Sequence, residues 1–398
     1  METIKMNRVI LIKYGELTTK KSNRKLFVNA LYNNLKSKLK DYDVNFIKDL
    51  SRMYIEFNEN DLDKIIEQIN TVFGIHAYDV AYKIKSDIDE IKDTLIKISN
   101  DLDFKTFKVN TKRSDKSFKI ESPEFSKQMG GVILKNKKNI QVDVHQPEVN
   151  FNIEIRYDYT YIYLNEYKGI GGYPYGTLGK GLLMLSGGID SPVSGYLAMK
   201  RGIKIDAVYF EAIPHTSIEA RNKVIDLSKK LLKYGNDFNL YIVPFTKIQE
   251  AIYKNIDNTY TITIMRRMMY RIMEKLVNRY KANVIINGES VGQVASQTLT
   301  SMRVINSVTN IPVIRPVACF DKLEIIDLAK KIDTYDISIL PYEDCCTVFV
   351  PRHPVINPEL DKCELYEQSF NYEELITEAV DNILKIKINN DSEYADLF

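Results

Sequence analysis

"LLMLSGGIDSPVSG", Leu182 to Gly195, carries the transition on which the fold turns. Leu182–Leu185 has the length and apolarity of a buried strand. Ser186-Gly187-Gly188 breaks it, and Pro192 suits the first turn of a helix, where its missing N–H costs nothing. Two adjacent glycines permit unusual dihedrals and let backbone amides approach a ligand closely. The N-terminus of the following helix aims free amides and a positive dipole end at the same place, which makes an anion site suited to phosphate. Ser186 and Ser191 add hydroxyl donors. Asp190 is the odd member, because a carboxylate beside phosphates is repulsive unless a cation lies between them. The spacing therefore predicts that Asp190 helps hold Mg²⁺, directly or through water.

Downstream, strands and helices alternate. "IKIDAVYFE", "FNLYIVPF" and "ANVIINGES" read as strands, and "SIEARNKVIDLSKKLLKYG" as a helix. One long helix is expected to contain "ITIMRRMMYRIMEKLVNRY". The strands are almost continuously apolar, as in a parallel sheet covered on both faces. The expectation from residue 182 to 398 is a doubly wound α/β domain that binds ligands at the carboxyl ends of its strands.

Upstream the pattern differs. "RVILIKYGEL" reads as a strand, Asn23–Leu39 as a helix, "NFIKDLSRMYIEF" as a hairpin and "DLDKIIEQINTVFG" as a helix, a small α+β unit over residues 1–75. Residues 76–166 hold two helical stretches, "IDEIKDTLIKISN" and "SPEFSKQMGGVILKN". A strand ending in a basic loop and two or three further strands complete the unit. Between these units and the C-terminal domain, residues 167–181 contain six of the chain's 17 glycines and read as a linker. "GTLGKG" within it lacks the GxxxxGK[ST] spacing of a phosphate loop.

The net charge is +2, so any nucleic-acid contact must come from local patches. No run approaches the ~18 apolar residues of a membrane helix, and no secretory leader is visible. The four cysteines (Cys319, Cys345, Cys346 and Cys363) are read as reduced thiols of a cytoplasmic protein. No CxxC or HExxH spacing points to a metal site.

On the two glycines alone, an ordinary strand–helix turn explains the opening stretch. SGGxDS directly after a strand is more specific and resembles the PP-loop of the ATP pyrophosphatases, which adenylate a substrate and release pyrophosphate. The resemblance implies ATP contacts from Met184, Leu185, Ser186, Gly187, Gly188, Asp190 and Ser191. It also implies contacts from Tyr209 and Phe210 at the second strand end. Arg266 and Arg267 sit among methionines on an otherwise apolar helix, which suits an oriented guanidinium, and Arg266 is assigned to the nucleotide. Gly288 and Gln297 in "NGESVGQVASQT" are further candidates, although these glycines could equally punctuate turns. Lys322 either neutralises polyphosphate charge or merely follows a helix cap at Asp321.

Taken in order, "GEL", "MLSGGIDSPV", "IMRRMM", "NGESVGQVASQT", "RPV…DK" and "PYEDCCTVFVPRHP" resemble the tRNA 4-thiouridine synthetase (tRNA sulfurtransferase) family over nearly the full length. The implied fold class is α/β: a doubly wound parallel-sheet PP-loop domain preceded by an α+β ferredoxin-like domain and an α/β THUMP domain that binds RNA. The implied reaction uses ATP and Mg²⁺ to replace O4 of uridine at position 8 of tRNA with sulfur. A link to sulfur supply for the thiamine thiazole goes with it. The carbonyl oxygen is a poor leaving group until AMP is placed on it, and sulfur must then arrive as a cysteine persulfide.

The resemblance places the persulfide on Cys346, with Cys345 the lesser candidate, and counts Asp190 and Lys322 as catalytic. Cys319 and Cys363 are expected to be buried and inert. Many relatives continue into a rhodanese domain, for which this chain has no room. Sulfur is therefore expected directly from a cysteine desulfurase, or with a small thiol resolving the cycle. Lys112, Arg113 and Lys116, with Lys135, Lys137 and Lys138, form two basic clusters assigned to tRNA, recognised through shape and phosphates. A homodimer is implied by resemblance alone. Two other readings remain: a PP-loop enzyme whose nucleophile is an amine, and a non-catalytic tRNA-binding protein.

Overall fold

The structure is a computed structural model that describes residues 7–48, 51–348 and 351–389; of residues 20, 21, 346 and 347 it describes the backbone alone. It divides into two compact units, Met1–Gly172 and Tyr173–Phe398.

The first unit is built on one sheet. It opens with strand β1 (Asn7–Lys13), helix α1 (Arg24–Lys38), strands β2 (Val44–Lys48) and β3 (Arg52–Phe57), helix α2 (Leu62–Ile69) and strand β4 (Ala77–Lys85). Helix α3 (Ile88–Asn100), strand β5 (Thr106–Arg113), helix α4 (Ser122–Asn136) and strands β6 (Gln141–Val142), β7 (Val149–Ile155), β8 (Tyr159–Tyr163) and β9 (Tyr167–Lys168) follow. The strand order is β2-β3-β1-β4-β8-β7-β5-β6, with β9 also on β4. β4 thus bonds β1 on one side and β8 on the other, joining the two α+β stretches without a break. The expected strand "RVILIKYGEL" stops at Lys13, because Gly15 takes φ +53 and starts a 3-10 turn. A Cβ there would lie 2.4 Å from that of His76. α3 and α4 cover the later strands with an apolar cluster centred on Phe107, Phe125 and Phe151.

The second unit is the doubly wound domain. In chain order come β10 (Lys180–Met184), α5 (Asp190–Lys200), β11 (Lys204–Glu211), α6 (Ile218–Leu232), β12 (Asn239–Pro244), α7 (Thr246–Asn255), α8 (Thr261–Arg279) and β13 (Val284–Ile286). Then come α9 (Leu299–Asn306), β14 (Val313–Ile314), α10 (Lys322–Lys331), α11 (Tyr335–Ser338), α12 (Cys345–Val348), α13 (Leu360–Glu367), α14 (Tyr372–Asp381) and β15 (Leu384–Lys387). The sheet order is β14-β13-β10-β11-β12-β15. The first five strands are parallel, and β15 runs antiparallel on the edge of β12. The glycine-rich stretch 167–181 is shared out: Tyr167 and Lys168 pair with β4, and Lys180 and Gly181 already belong to β10. The long helix expected to contain "ITIMRRMMYRIMEKLVNRY" is α8, and the shorter α7 precedes it. Asp257 accepts the Thr259 amide at 2.8 Å and starts a new turn between them. Among the described residues no helix is long and apolar enough to cross a membrane.

α8 carries a buried ion pair that explains one of its two adjacent arginines. Arg267, 1% exposed, donates to Glu367 Oε1 at 2.6 Å and Oε2 at 3.0 Å, and to the Val304 carbonyl at 2.6 Å. Removing one partner of a buried pair strands the other charge. Arg267→Met is therefore expected to cost about 3 kcal/mol, toward the low end for such pairs, because Arg271 still reaches Glu367. A urea midpoint unchanged from that of the parent would refute this.

Candidate active site

From β10 the chain passes to β11 on one side, while β13 pairs on the other. The gap between β10 and β13 is thus the point where the winding reverses, and open α/β sheets bind ligands outside the strand ends at such a point. The last ladder bond runs from the Leu185 amide to the Val208 carbonyl at 2.9 Å. Beyond it the loop closes on itself. Ser191 Oγ accepts the Ser186 amide at 3.0 Å, and Ser186 Oγ accepts the Gly188 amide at 3.3 Å. The Gly187 amide points elsewhere and donates to Asp344 Oδ1 at 3.0 Å.

Asp190 opens helix α5 and faces the cleft with both oxygens engaged. Lys322 Nζ donates to Oδ1 at 2.6 Å and Gln293 Nε2 to Oδ2 at 2.9 Å. The reading of Lys322 as the residue after a helix cap holds: Asp321 and Glu324 form a capping box at the start of α10, and Lys322 reaches across to Asp190. One carboxylate beside serine hydroxyls is a donor set that fits Mg²⁺, which takes few protein ligands and completes its shell with phosphates and water.

The opposite wall is the loop after β13. A Cβ on Gly288 would lie 2.6 Å from the Ser191 amide nitrogen, so this glycine lets the loop touch the start of α5. Gly288→Ala is expected to destabilise the domain by about 1–3 kcal/mol by forcing the walls apart, read as a lower urea midpoint. Glu289, 1% exposed, anchors the wall from behind. It accepts from Arg266, from Arg315 Nε at 2.8 Å, from Asn287 Nδ2 at 2.8 Å and from Tyr270 at 3.2 Å. Burial would raise its carboxyl, but Arg266 and Arg315 outweigh burial and hold it below the usual range.

The cleft and the open solvent at its mouth together span about 680 Å³. Of the residues expected to touch nucleotide, Met184, Leu185, Ser186, Gly188, Asp190, Ser191, Tyr209, Phe210, Arg266, Gly288 and Gln297 all line it. Gly187 stands behind its rim. Asp344 and Cys345 close the same cleft from the C-terminal segment. Burial and Asp344 push the Tyr209 phenol upward, and its hydroxyl finds no partner among the described residues.

Three participants escape sequence reasoning. Asp344, Gln293 and Lys223 carry no local pattern; each meets the loop only through the fold. Lys223, 5% exposed on α6, donates to the Leu340 carbonyl at 2.8 Å, and burial lowers its pKa against the pull of Asp344. Glu289 stood inside the quoted "NGES" and could have been suspected as a partner for Arg266.

The cysteines separate. Cys345 is buried at the start of α12, and its carbonyl accepts from Gln249 Nε2 at 2.7 Å. The side chain of Cys346 lies outside the described residues. Cys363 is buried as expected, and burial pushes its thiol up to about 11. Cys319 corrects the expectation of burial: it is exposed, on the turn that follows β14.

The basic clusters also separate. Lys112, Arg113 and Lys116 lie where β5 ends and α4 begins, while Lys135, Lys137 and Lys138 lie at the far end of α4. A helix of 15 residues keeps them about 22 Å apart. Arg113 is tied to the Phe118 and Ile120 carbonyls at 2.7 and 3.1 Å, and Lys137 to the Leu102 carbonyl at 2.8 Å. Lys112, Lys116, Lys135 and Lys138 are exposed.

Comparison with known proteins follows the same division. A ThiI ferredoxin-like domain model matches residues 9–78, a THUMP domain model residues 85–165, and the family model described as thiamine biosynthesis protein (ThiI) residues 176–372. A probable tRNA sulfurtransferase of Geobacillus kaustophilus is 48% identical, with 98% of this chain and 99% of the relative covered. One of Bacillus licheniformis is 47% identical over the same shares. The crystal structure of a 4-thiouridine synthetase–RNA complex with bound ATP superposes with a TM-score of 0.88 at 35% identity, covering 96% of this chain and 100% of that one. PH1313 from Pyrococcus horikoshii shares the fold, with a TM-score of 0.64 at 21% identity over 82% of this chain and 99% of its own.

Proposed function

Because this chain belongs to the ThiI family of tRNA sulfurtransferases, we propose that its cleft adenylates O4 of uridine 8 in tRNA and that Cys346 delivers the sulfur. The observation that supports the reading is that Asp344 and Cys345, at the start of α12, line the same cleft onto which the Ser186–Ser191 loop opens.

Base and phosphates of ATP occupy the cleft between Tyr209–Phe210 and the loop, with Arg266, Gly288 and Gln297 on the far wall. O4 attacks the α-phosphorus, the bond to the β-phosphate oxygen breaks, and pyrophosphate leaves. Loop amides and Lys322 stabilise the charge that develops on the phosphates. Asp190 would hold Mg²⁺, which when bound offsets phosphate charge. The terminal sulfur of the Cys346 persulfide then attacks C4 and AMP departs with the former carbonyl oxygen. Two equivalents of an external thiol cleave the remaining S–S bond: the first forms a mixed disulfide with Cys346 and leaves the thiocarbonyl on the base, and the second frees the Cys346 thiol and departs as the oxidised disulfide. A cysteine desulfurase recharges Cys346. The same sulfur-bearing cysteine would serve a thiazole acceptor.

Lys112, Lys116, Lys135 and Lys138 bear on tRNA phosphates, with their spacing along α4 suited to an extended backbone. Arg113 and Lys137 chiefly brace the loops that present them. Two copies sharing one tRNA fit a substrate longer than one domain.

The test is to incubate the purified protein with ATP, Mg²⁺, unmodified tRNA, a cysteine desulfurase with cysteine, and a reducing thiol, and to follow near-ultraviolet absorbance of the tRNA. Absorbance from thiouridine, dependent on ATP, is expected. Its absence, with ATP bound and tRNA bound, would overturn the reading.

A further inference from the structure

We infer that Asp344 is a positioning residue that holds α12 against the phosphate loop while the loop is empty, and is evicted when a polyphosphate takes its place. The inference rests on the proposed use of the loop for ATP.

The geometry is that of an internal anion in an anion site. Asp344 Oδ1 accepts the Gly187 amide at 3.0 Å, a loop amide that neither Ser186 nor Ser191 caps. A built Cβ on Gly187 would stand 3.2 Å from the same oxygen and 3.1 Å from Lys223, so carboxylate and ammonium stem crowd the glycine together. Lys223 faces Asp344 and ties the preceding residues by donating to the Leu340 carbonyl at 2.8 Å. Burial raises the Asp344 carboxyl while the Gly187 amide, Lys223 and a side-chain hydrogen bond with Ser186 pull it down. A phosphate arriving at Gly187 needs the same amide and repels the carboxylate, so both cannot stay.

Asp344 is covalently next to Cys345, the first residue of α12. Its departure removes the contact that fixes the N-terminus of that helix on the loop. Gln249, on the Cys345 carbonyl at 2.7 Å, and Lys223 remain as a tether. The resting arrangement also leaves the hydroxyl of Tyr209, a buried residue of the same cleft, without a partner among the described residues. Nucleotide occupancy and release of the cysteine-bearing segment thereby become one event. Adenylation precedes sulfur delivery because the phosphates must enter before α12 is free to move.

Hydrogen exchange separates this from a static wall. With a non-hydrolysable ATP analogue, peptides covering 184–191 should exchange more slowly, and peptides covering 340–348 should exchange faster than in the free protein. A ligand that merely packed on a static wall would slow both. Asp344→Ala should exchange quickly over 340–348 with or without the analogue. It should also bind ATP about tenfold more tightly, as expected when a competing closed state that holds about nine-tenths of the molecules is removed. Asp344→Asn keeps the size and an acceptor oxygen without the charge, should gain less affinity, and guards against a folding defect in the alanine variant. Slower exchange in both segments, or weaker ATP binding by Asp344→Ala, overturns the inference. A parent chain that binds no ATP removes the proposed function itself. A chain that binds ATP while protecting 340–348 removes only the role of Asp344.

Discussion

Asp190→Asn is expected to lower tRNA-dependent pyrophosphate release by about 10²–10³-fold, the scale on which removal of one preorganised charge contact from a transition state is felt. Asparagine keeps the shape and can still accept from Gln293, so the loop should stand. What disappears is the charge that meets Lys322 at 2.6 Å and would meet a metal. Lys322→Met should fall by a similar factor. Because the two side chains touch, the double variant should lose little more than either single one, a coupling that a double-mutant cycle would read directly. Affinity for tRNA should stay within about twofold of the parent, since the lysines assigned to RNA lie in the first unit. Pyrophosphate release at the parent rate in Asp190→Asn would remove this carboxylate from the chemistry.

Cys346→Ser is expected to abolish thiolation, a loss beyond about 10³-fold, while ATP-dependent pyrophosphate release continues. A serine hydroxyl cannot carry a persulfide, and the adenylated base would wait for a nucleophile that never comes. Cys345→Ser should behave differently. Its side chain packs in the apolar core of the second unit, so the hydroxyl should cost about 1–2 kcal/mol of stability and leave thiolation within about tenfold. Measuring thiouridine and pyrophosphate in the same reaction separates the two. An enzyme that used an amine would keep full product formation in Cys346→Ser.

The loop, the alternation of strands and helices, and eleven of the cleft-lining residues were legible because each is written locally. A strand followed by SGGxDS states its own geometry, and burial on both faces writes itself as unbroken apolar runs. Contacts between distant segments were not legible. Asp344 meets Gly187 across 157 positions and Lys322 meets Asp190 across 132, and no periodicity records such a meeting. The arginine pair shows the difference within one tetrapeptide. Arg266 and Arg267 look alike in the chain, but one faces the cleft and the other is sealed against Glu367. Cys319 was misjudged because a cysteine's usual preference for the interior yields to a tight turn.

The position of β4 has a consequence for any attempt to dissect the molecule. Seven of its residues, Ala77 to Lys83, are stitched to β1, and Tyr82 to Lys85 are stitched to β8 on the other flank. A fragment starting at residue 76 would carry that strand with one selvedge torn open, a template for self-association. A fragment ending there would lose β4 itself and leave β1 with an open edge. The first unit is accordingly one woven cloth, to be inherited, transplanted or deleted whole.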